Sequence, residues 1–169
     1  MPSTPLTTAD DDHAAYAAGL RLLVGRELSR AQVRERLLRR GFTPRAADAA
    51  VERLALERAV DDARSARMHA RSALARHRGR DRAVREMQRL GIAADVARQA
   101  AHEVFGALDE RLLIERALTR RLKSAPIESP AEFRRLYAYL VRQGFPPGAV
   151  LTVLKARSRG RTFEPDDAA

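Results

Sequence analysis

Laid over one another, residues 33–54 (VRERLLRRGFTPRAADAAVERL), 83–104 (AVREMQRLGIAADVARQAAHEV) and 136–157 (LYAYLVRQGFPPGAVLTVLKAR) share one frame. Each carries a glycine, Gly41, Gly91 or Gly144, followed by a large apolar residue, Phe42, Ile92 or Phe145, and the glycines stand 50 and 53 residues apart. Repetition at this period marks an array of supersecondary units, each of which buries its apolar face against a neighbour. Eight and four residues before the glycines sit Val33 and Leu37, Ala83 and Met87, and Leu136 and Leu140, one face of a helix.

Glycine at the end of such a face reads as a helix C-cap in the left-handed conformation, with the following apolar residue folding back on the helix it closes. Pro44 and Pro147 lie three residues beyond their glycines, where a fixed φ and a missing donor suit the first turn of a new helix. Thr43 is placed to cap the first of these. The result is a helix–turn–helix in each copy.

A further helix precedes each pair, introduced by acid: Asp12 before residues 14–25, Asp61 and Asp62 before 63–77, and Asp109 and Glu110 before 111–123. Carboxylates there cap free N–H groups and complement the helix dipole. The expected fold is all-α, three tandem three-helix repeats at 13–60, 61–108 and 109–160 in an elongated, curved array. Tails at 1–12 and 161–169 carry acid, proline and no periodicity and are expected to be disordered. One unit of this size buries too little surface to stand alone. Apolar residues reach 45%, but aromatics only 5%, and alanine is abundant, so each core layer is thin.

Charge bears on function. The chain carries +10, with Lys123 and Lys155 the two lysines among 32 cations. An arginine-rich genome is one reading of the Arg/Lys ratio, but it leaves the net charge unexplained. Such a field attracts acidic partners: nucleic acid, acidic protein or anionic lipid. Counted by segment, the N-terminal tail is −3, the units +5, +4 and +6, and the C-terminal tail −2, so a ligand is expected to run along the array. Cysteine is absent, which removes disulfides and thiolate chemistry. No apolar run approaches the roughly 18 residues of a membrane span, and the start lacks the order of a secretory signal; a cytoplasmic protein with no membrane association is expected.

Catalysis has little support. His13, His69, His77 and His102 show no metal-ligand spacing, and the Asp61–Asp62 pair, matched by Asp109–Glu110, reads as capping. No phosphate-binding glycine loop is present, so neither cofactor nor metal is expected. The basic positions carry more. Arg64, Arg67 and Arg71 recur at i, i+3 and i+7 with Arg78 in the same sector; Arg116, Arg120 and Lys123 form a second stripe. Arg39 and Arg40, Arg80 and Arg82 beside Arg78, and Arg134 and Arg135 cluster near turns. Any one of them is accounted for by a solvated surface; the set, with its net charge, points to phosphate or carboxylate contact.

Such contact need not read sequence. Adenine readout favours Asn or Gln, and the chain has no Asn and only Gln32, Gln88, Gln99 and Gln143. Single-strand platforms pair cations with exposed aromatics. Here Tyr16, Phe42, Phe105, Phe133, Tyr137 and Phe145 fall at helix-packing positions, which leaves Tyr139 as the best exposed ring.

These residues resemble the RecX regulatory proteins, modulators of the RecA recombinase. The similarity covers about residues 14–157 and rests on LSRAQVRERLLRRGF, on VDDARSARMHARSALARHRGRDRAVREMQRLGI and on YLVRQGFPPGAVLTVL, in order and spacing. The chain departs from the family at Arg64 and Ser65, where an aromatic is usual shortly after the acidic pair, and at Val60, where leucine is common. The resemblance implies three three-helix repeats that enter the groove of a RecA-type filament on single-stranded DNA, span adjacent subunits, and inhibit assembly, ATPase, recombinase and coprotease activities. It implies a noncatalytic, monomeric regulator with no sequence preference. The alternative from the residues themselves is a general nucleic-acid-binding helical module without a recombinase partner.

Overall fold

The computed structural model describes residues 8–122 and 126–158. Among these there are nine α-helices and no strand: α1 Thr8–Leu23, α2 Arg30–Arg39, α3 Pro44–Leu56, α4 Asp62–Ala75, α5 Arg80–Arg89, α6 Ala94–Phe105, α7 Glu110–Leu122, α8 Pro130–Arg142 and α9 Pro147–Arg157. The all-helical reading and the three-helix period hold. Helix α1 begins inside the stretch assigned to the N-terminal tail. Asp11 accepts from the Thr43 hydroxyl at 2.9 Å and Asp12 holds Arg45 at 2.8 Å, and these bonds to the start of α3 keep residues 11 and 12 in the helix.

The glycine turns form as their spacing requires. Gly41, Gly91 and Gly144 have φ of +89°, +78° and +89°, a region open to glycine at little steric cost. Phe42 donates to the Leu37 carbonyl and Gly41 to Leu38; Ile92 and Gly91 do the same to Met87 and Gln88, and Phe145 and Gly144 to Leu140 and Val141. Each is a Schellman end, in which two otherwise orphaned carbonyls are satisfied. Two further helices close the same way without glycine. Arg58 (φ +55°) and His77 (φ +57°) hold the left-handed position after α3 and α4, with Ala59 donating to Leu54 and Arg78 to Ala73.

The chain divides into two units that cut across the sequence repeat. Unit 1 comprises Met1–Met68 and Met87–Ala97, and unit 2 His69–Glu86 and Arg98–Ala169. In unit 1, α1 and α2 pack on α3 over Ala15, Ala18, Val33, Leu37, Ala46, Ala47, Ala50 and Leu54. The many alanines let backbones approach: a Cβ on Gly19 would stand 2.7 Å from Leu54 Cδ1. In unit 2, α7 and α8 pack on α9 around Phe133, Ile114, Leu118, Leu136, Leu140, Val150 and Leu154, a core of larger side chains.

Each unit contains one joint between a helix start and a glycine turn. In unit 1 the Ser29 hydroxyl, N-cap of α2, donates to the Leu90 carbonyl, and a Cβ on Gly91 would come within 2.3 Å of Ala31 Cβ. In unit 2 the Gly79 N–H donates to the Gln143 carbonyl at 2.8 Å, and a Cβ on Gly144 would come within 2.3 Å of Arg82 N. These glycines are thus required by space as well as by φ.

Candidate nucleic-acid interface

Capping fixes where α4 and α7 begin. Asp61 Oδ1 accepts from the Arg64 N–H at 3.0 Å, and that bond holds its carboxyl below the usual range. Asp109 Oδ1 accepts from Arg111 at 2.8 Å. Asp62 turns aside to accept the Arg30 N–H at 2.8 Å, tying α4 to the start of α2. The acidic pairs are structural, and among the described residues no group of three or more His, Asp or Glu could hold a metal ion.

The predicted basic residues separate into two kinds. Arg64 is committed internally: Nε meets Glu27 at 2.8 Å, and the two terminal nitrogens donate to the Arg58 and Ala59 carbonyls at 3.2 and 3.1 Å. Arg78 and Arg82 converge on Glu86 at 2.6 and 2.8 Å. Burial pushes the Glu86 carboxyl up, but its two arginine hydrogen bonds outweigh this and hold it below the usual range. Arg82 also donates to Gln143 Oε1. These three arginines hold turns. Arg39 pairs with Glu35 on its own helix, and Arg40 reaches the Ala18 carbonyl at 3.5 Å; both remain exposed.

The remaining positions face water. Arg71, Arg116, Arg120 and Arg134 are exposed with no acidic partner among the described residues, exposed Arg80 lies near the Glu110 carboxylate, Arg67 is half-buried beside the Asp61 carboxylate, and exposed Arg135 stands a long 3.8 Å from Glu132. Lys123 lies outside the described residues. Tyr139 is not an open platform: it is half-buried, with the Arg121 guanidinium 4.1 Å from its ring centroid. Phe105, Phe133 and Phe145 are buried as packing residues, and Tyr16, Phe42 and Tyr137 are half-buried.

Charge is distributed unequally between the units. Among the described residues, unit 1 has thirteen arginines against eleven acids, whereas unit 2 has sixteen cations against eight acids. Unit 1 also neutralises many of its own arginines, with Arg30–Glu52, Arg34–Asp48, Arg45–Asp12 and Arg53–Glu57 paired besides Arg39 and Arg64. In unit 2, Arg116 and Arg120 occupy one face of α7, and α8 presents Arg134, Arg135 and Arg142. Arg121 and Arg142 escaped the sequence reading. The i, i+3 and i, i+7 spacing of Arg142 from Tyr139 and Arg135 was the signal that could have found it.

An all-α chain of three-helix repeats with one unit of high net positive charge is the class these features define. Residues 15–54 match the family described as RecX, first three-helix domain. The regulatory protein RecX of Syntrophotalea carbinolica is 32% identical over 134 residues, covering 78% of this chain and 88% of that one. That of Amycolatopsis mediterranei is 28% identical over 163 residues, 94% of this chain and 91% of that one. The crystal structure of RecX from Lactobacillus salivarius superposes with a TM-score of 0.70 at 16% identity, covering 89% of this chain and 99% of that one. The chain belongs to the RecX family of regulatory proteins. No helix among the described residues is long and apolar enough to cross a membrane.

Proposed function

We propose that this chain is a noncatalytic regulator that binds RecA-type recombinase filaments on single-stranded DNA, in the filament groove, and inhibits their assembly, ATPase, recombinase and coprotease activities. The observation that carries the reading is the charge of unit 2, where exposed Arg116 and Arg120 on α7 and Arg134 on α8 lack acidic partners among the described residues. Family membership and the name of the relatives as regulatory proteins support it. Guanidinium groups left solvated in this way are available to phosphate or carboxylate, and the gain requires no base-specific contact. A regulator shifts a filament equilibrium only by binding one state better than the other, so the effect on assembly follows from preference for that state.

The test adds the protein to a recombinase filament on single-stranded DNA and follows ATP hydrolysis and filament length. Unchanged turnover and length at saturating protein reject the proposal. A second reading, a general nucleic-acid-binding helical module, draws on the same unpaired arginines. It requires steeply salt-dependent binding to bare DNA as tight as to filaments, and much weaker binding to bare DNA rejects it.

A further inference from the structure

The joint between a helix start and a glycine turn occurs twice within the chain, and its two halves are each present a third time. Ser29, Gly79 and Ser129 stand 50 residues apart, each immediately before the second helix of its repeat. The residues before the turn glycines, Arg40, Leu90 and Gln143, form the other half. Leu90 meets Ser29, and Gln143 meets Gly79. Ser129 and Arg40 remain, and among the described residues neither is joined to such a partner. A Cβ built on Gly41 meets nothing within 4 Å, unlike those on Gly91 and Gly144.

The two unused halves match chemically. Ser129-Pro130-Ala131 repeats the Ser-x-Ala of Ser29-Arg30-Ala31, and all three residues are exposed. Ser129 Oγ accepts the Glu132 N–H at 3.2 Å, as Ser29 Oγ accepts the Gln32 N–H at 3.2 Å, which leaves each hydroxyl proton for a carbonyl. Pro130 removes no bond the joint uses, because at the matching position the Arg30 N–H goes to Asp62 and not to the turn. The side-chain pair Arg82–Gln143 of the second joint has Glu132 and Arg40 at its matching positions, an acid and a base. The Ala31–Gly91 approach has Ala131 and Gly41. Among the described residues the Glu132 carboxylate otherwise makes a 3.4 Å contact with the Glu128 N–H and the long 3.8 Å pair with Arg135, and the Arg40 side chain a 3.5 Å bond to the Ala18 carbonyl.

We propose that the Ser129–Glu132 corner receives the Arg40–Gly41–Phe42 turn of a second copy of this chain, joined as the chain joins its own repeats. Ser129 donates to the Arg40 carbonyl, Ala131 packs on Gly41, and Glu132 pairs with Arg40. The contact joins a different patch on each copy, the Ser129 corner of one and the Arg40 turn of the other. It is small, and association is therefore concentration-dependent, with a monomer in dilute solution.

The chain has no cysteine, so single cysteines report the contact directly. Arg39→Cys and Glu128→Cys flank the joint without forming it. Mixed at high concentration with a short bismaleimide, the two variants are expected to cross-link to each other well above the level of either variant alone. Ala131→Arg in the Glu128→Cys chain should abolish the product, with helicity checked by circular dichroism. Glu132→Arg should weaken it, and Arg40→Glu on the other copy should restore it. A mixture that cross-links no more than the single variants, or a Glu132→Arg loss that Arg40→Glu leaves unrestored, overturns the proposal.

Discussion

The Arg64 guanidinium donates to the carbonyl of Arg58, a non-glycine residue held at φ +55° where α3 ends. With its second donation to Ala59 and its pair to Glu27, Arg64 closes that turn from the outside. Left-handed backbone costs an L-residue roughly 1–2 kcal/mol, and Arg64 helps offset it. Arg64→Ala is expected to lower stability by about 1–2 kcal/mol, the loss of two partly exposed hydrogen bonds and an ion pair. Affinity for single-stranded DNA should not change. Chemical denaturation beside a DNA titration checks both halves.

Arg58→Gly acts on the same turn from the other side. Removing the Cβ at a positive φ is expected to stabilise the protein by about 0.5–1 kcal/mol even though it deletes an exposed arginine. His77, at φ +57°, should respond in the same direction to His77→Gly. A shift of either denaturation midpoint to lower denaturant would contradict the strain argument.

Arg116 and Arg120 offer the converse. Both are exposed on α7 and without an acidic partner among the described residues, so Arg116→Glu with Arg120→Glu should leave the denaturation midpoint nearly unchanged. Binding to recombinase–DNA filaments should weaken several-fold. If the arginines meet phosphate, the slope of log affinity against log salt should fall by about one for each contact removed.

Acid should act through His69. Burial lowers its pKa from 6.5, the Glu86 carboxylate opposes that shift, Arg76 adds to it, and Nε2 is buried with no hydrogen-bond partner among the described residues. With the folded pKa below the unfolded one, the neutral ring's contribution is complete above about pH 6.5. It is lost as pH falls from there through the folded value. His69→Gln is expected to flatten stability against pH below 6.5, as read from denaturation midpoints between pH 7.5 and 5.

Asp61 titrates lower. Its cap bond to Arg64 lowers its pKa, so its contribution is present above the unfolded carboxylate range and is lost as pH falls through the folded pKa. Asp61→Ala should cost about 1 kcal/mol at neutral pH, and Asp61→Asn much less, because the amide oxygen still accepts the N–H. Equal losses in the two variants would place the effect elsewhere.

Glycine at a fixed distance from an apolar face was enough to locate three helix ends, because only glycine holds that conformation at low cost. The same rule hid the ends at Arg58 and His77, where no residue type announces the conformation; at Arg58 the hydrogen bonds from Arg64 help offset the strain. Charge patterning found Arg116, Arg120 and Arg134 but could not separate them from Arg64, Arg78 and Arg82. Whether an arginine is neutralised depends on a carboxylate 4 to 37 residues away, Glu86 or Glu27. Tyr139 lay out of phase with Leu136 and Leu140, yet Arg121 covers its ring from α7, a neighbour no single-helix wheel contains.

The paired use of a helix start and a glycine turn bears on how such a chain can lengthen. The central repeat alone uses both halves, with Gly79 and Arg82 meeting one neighbour's turn and Gly91 meeting another's helix start. A duplicated copy of that segment, inserted in frame, carries its own plug and its own socket, so recombination within one gene can add whole units without inventing a new contact surface. An insertion of half a unit separates plug from socket.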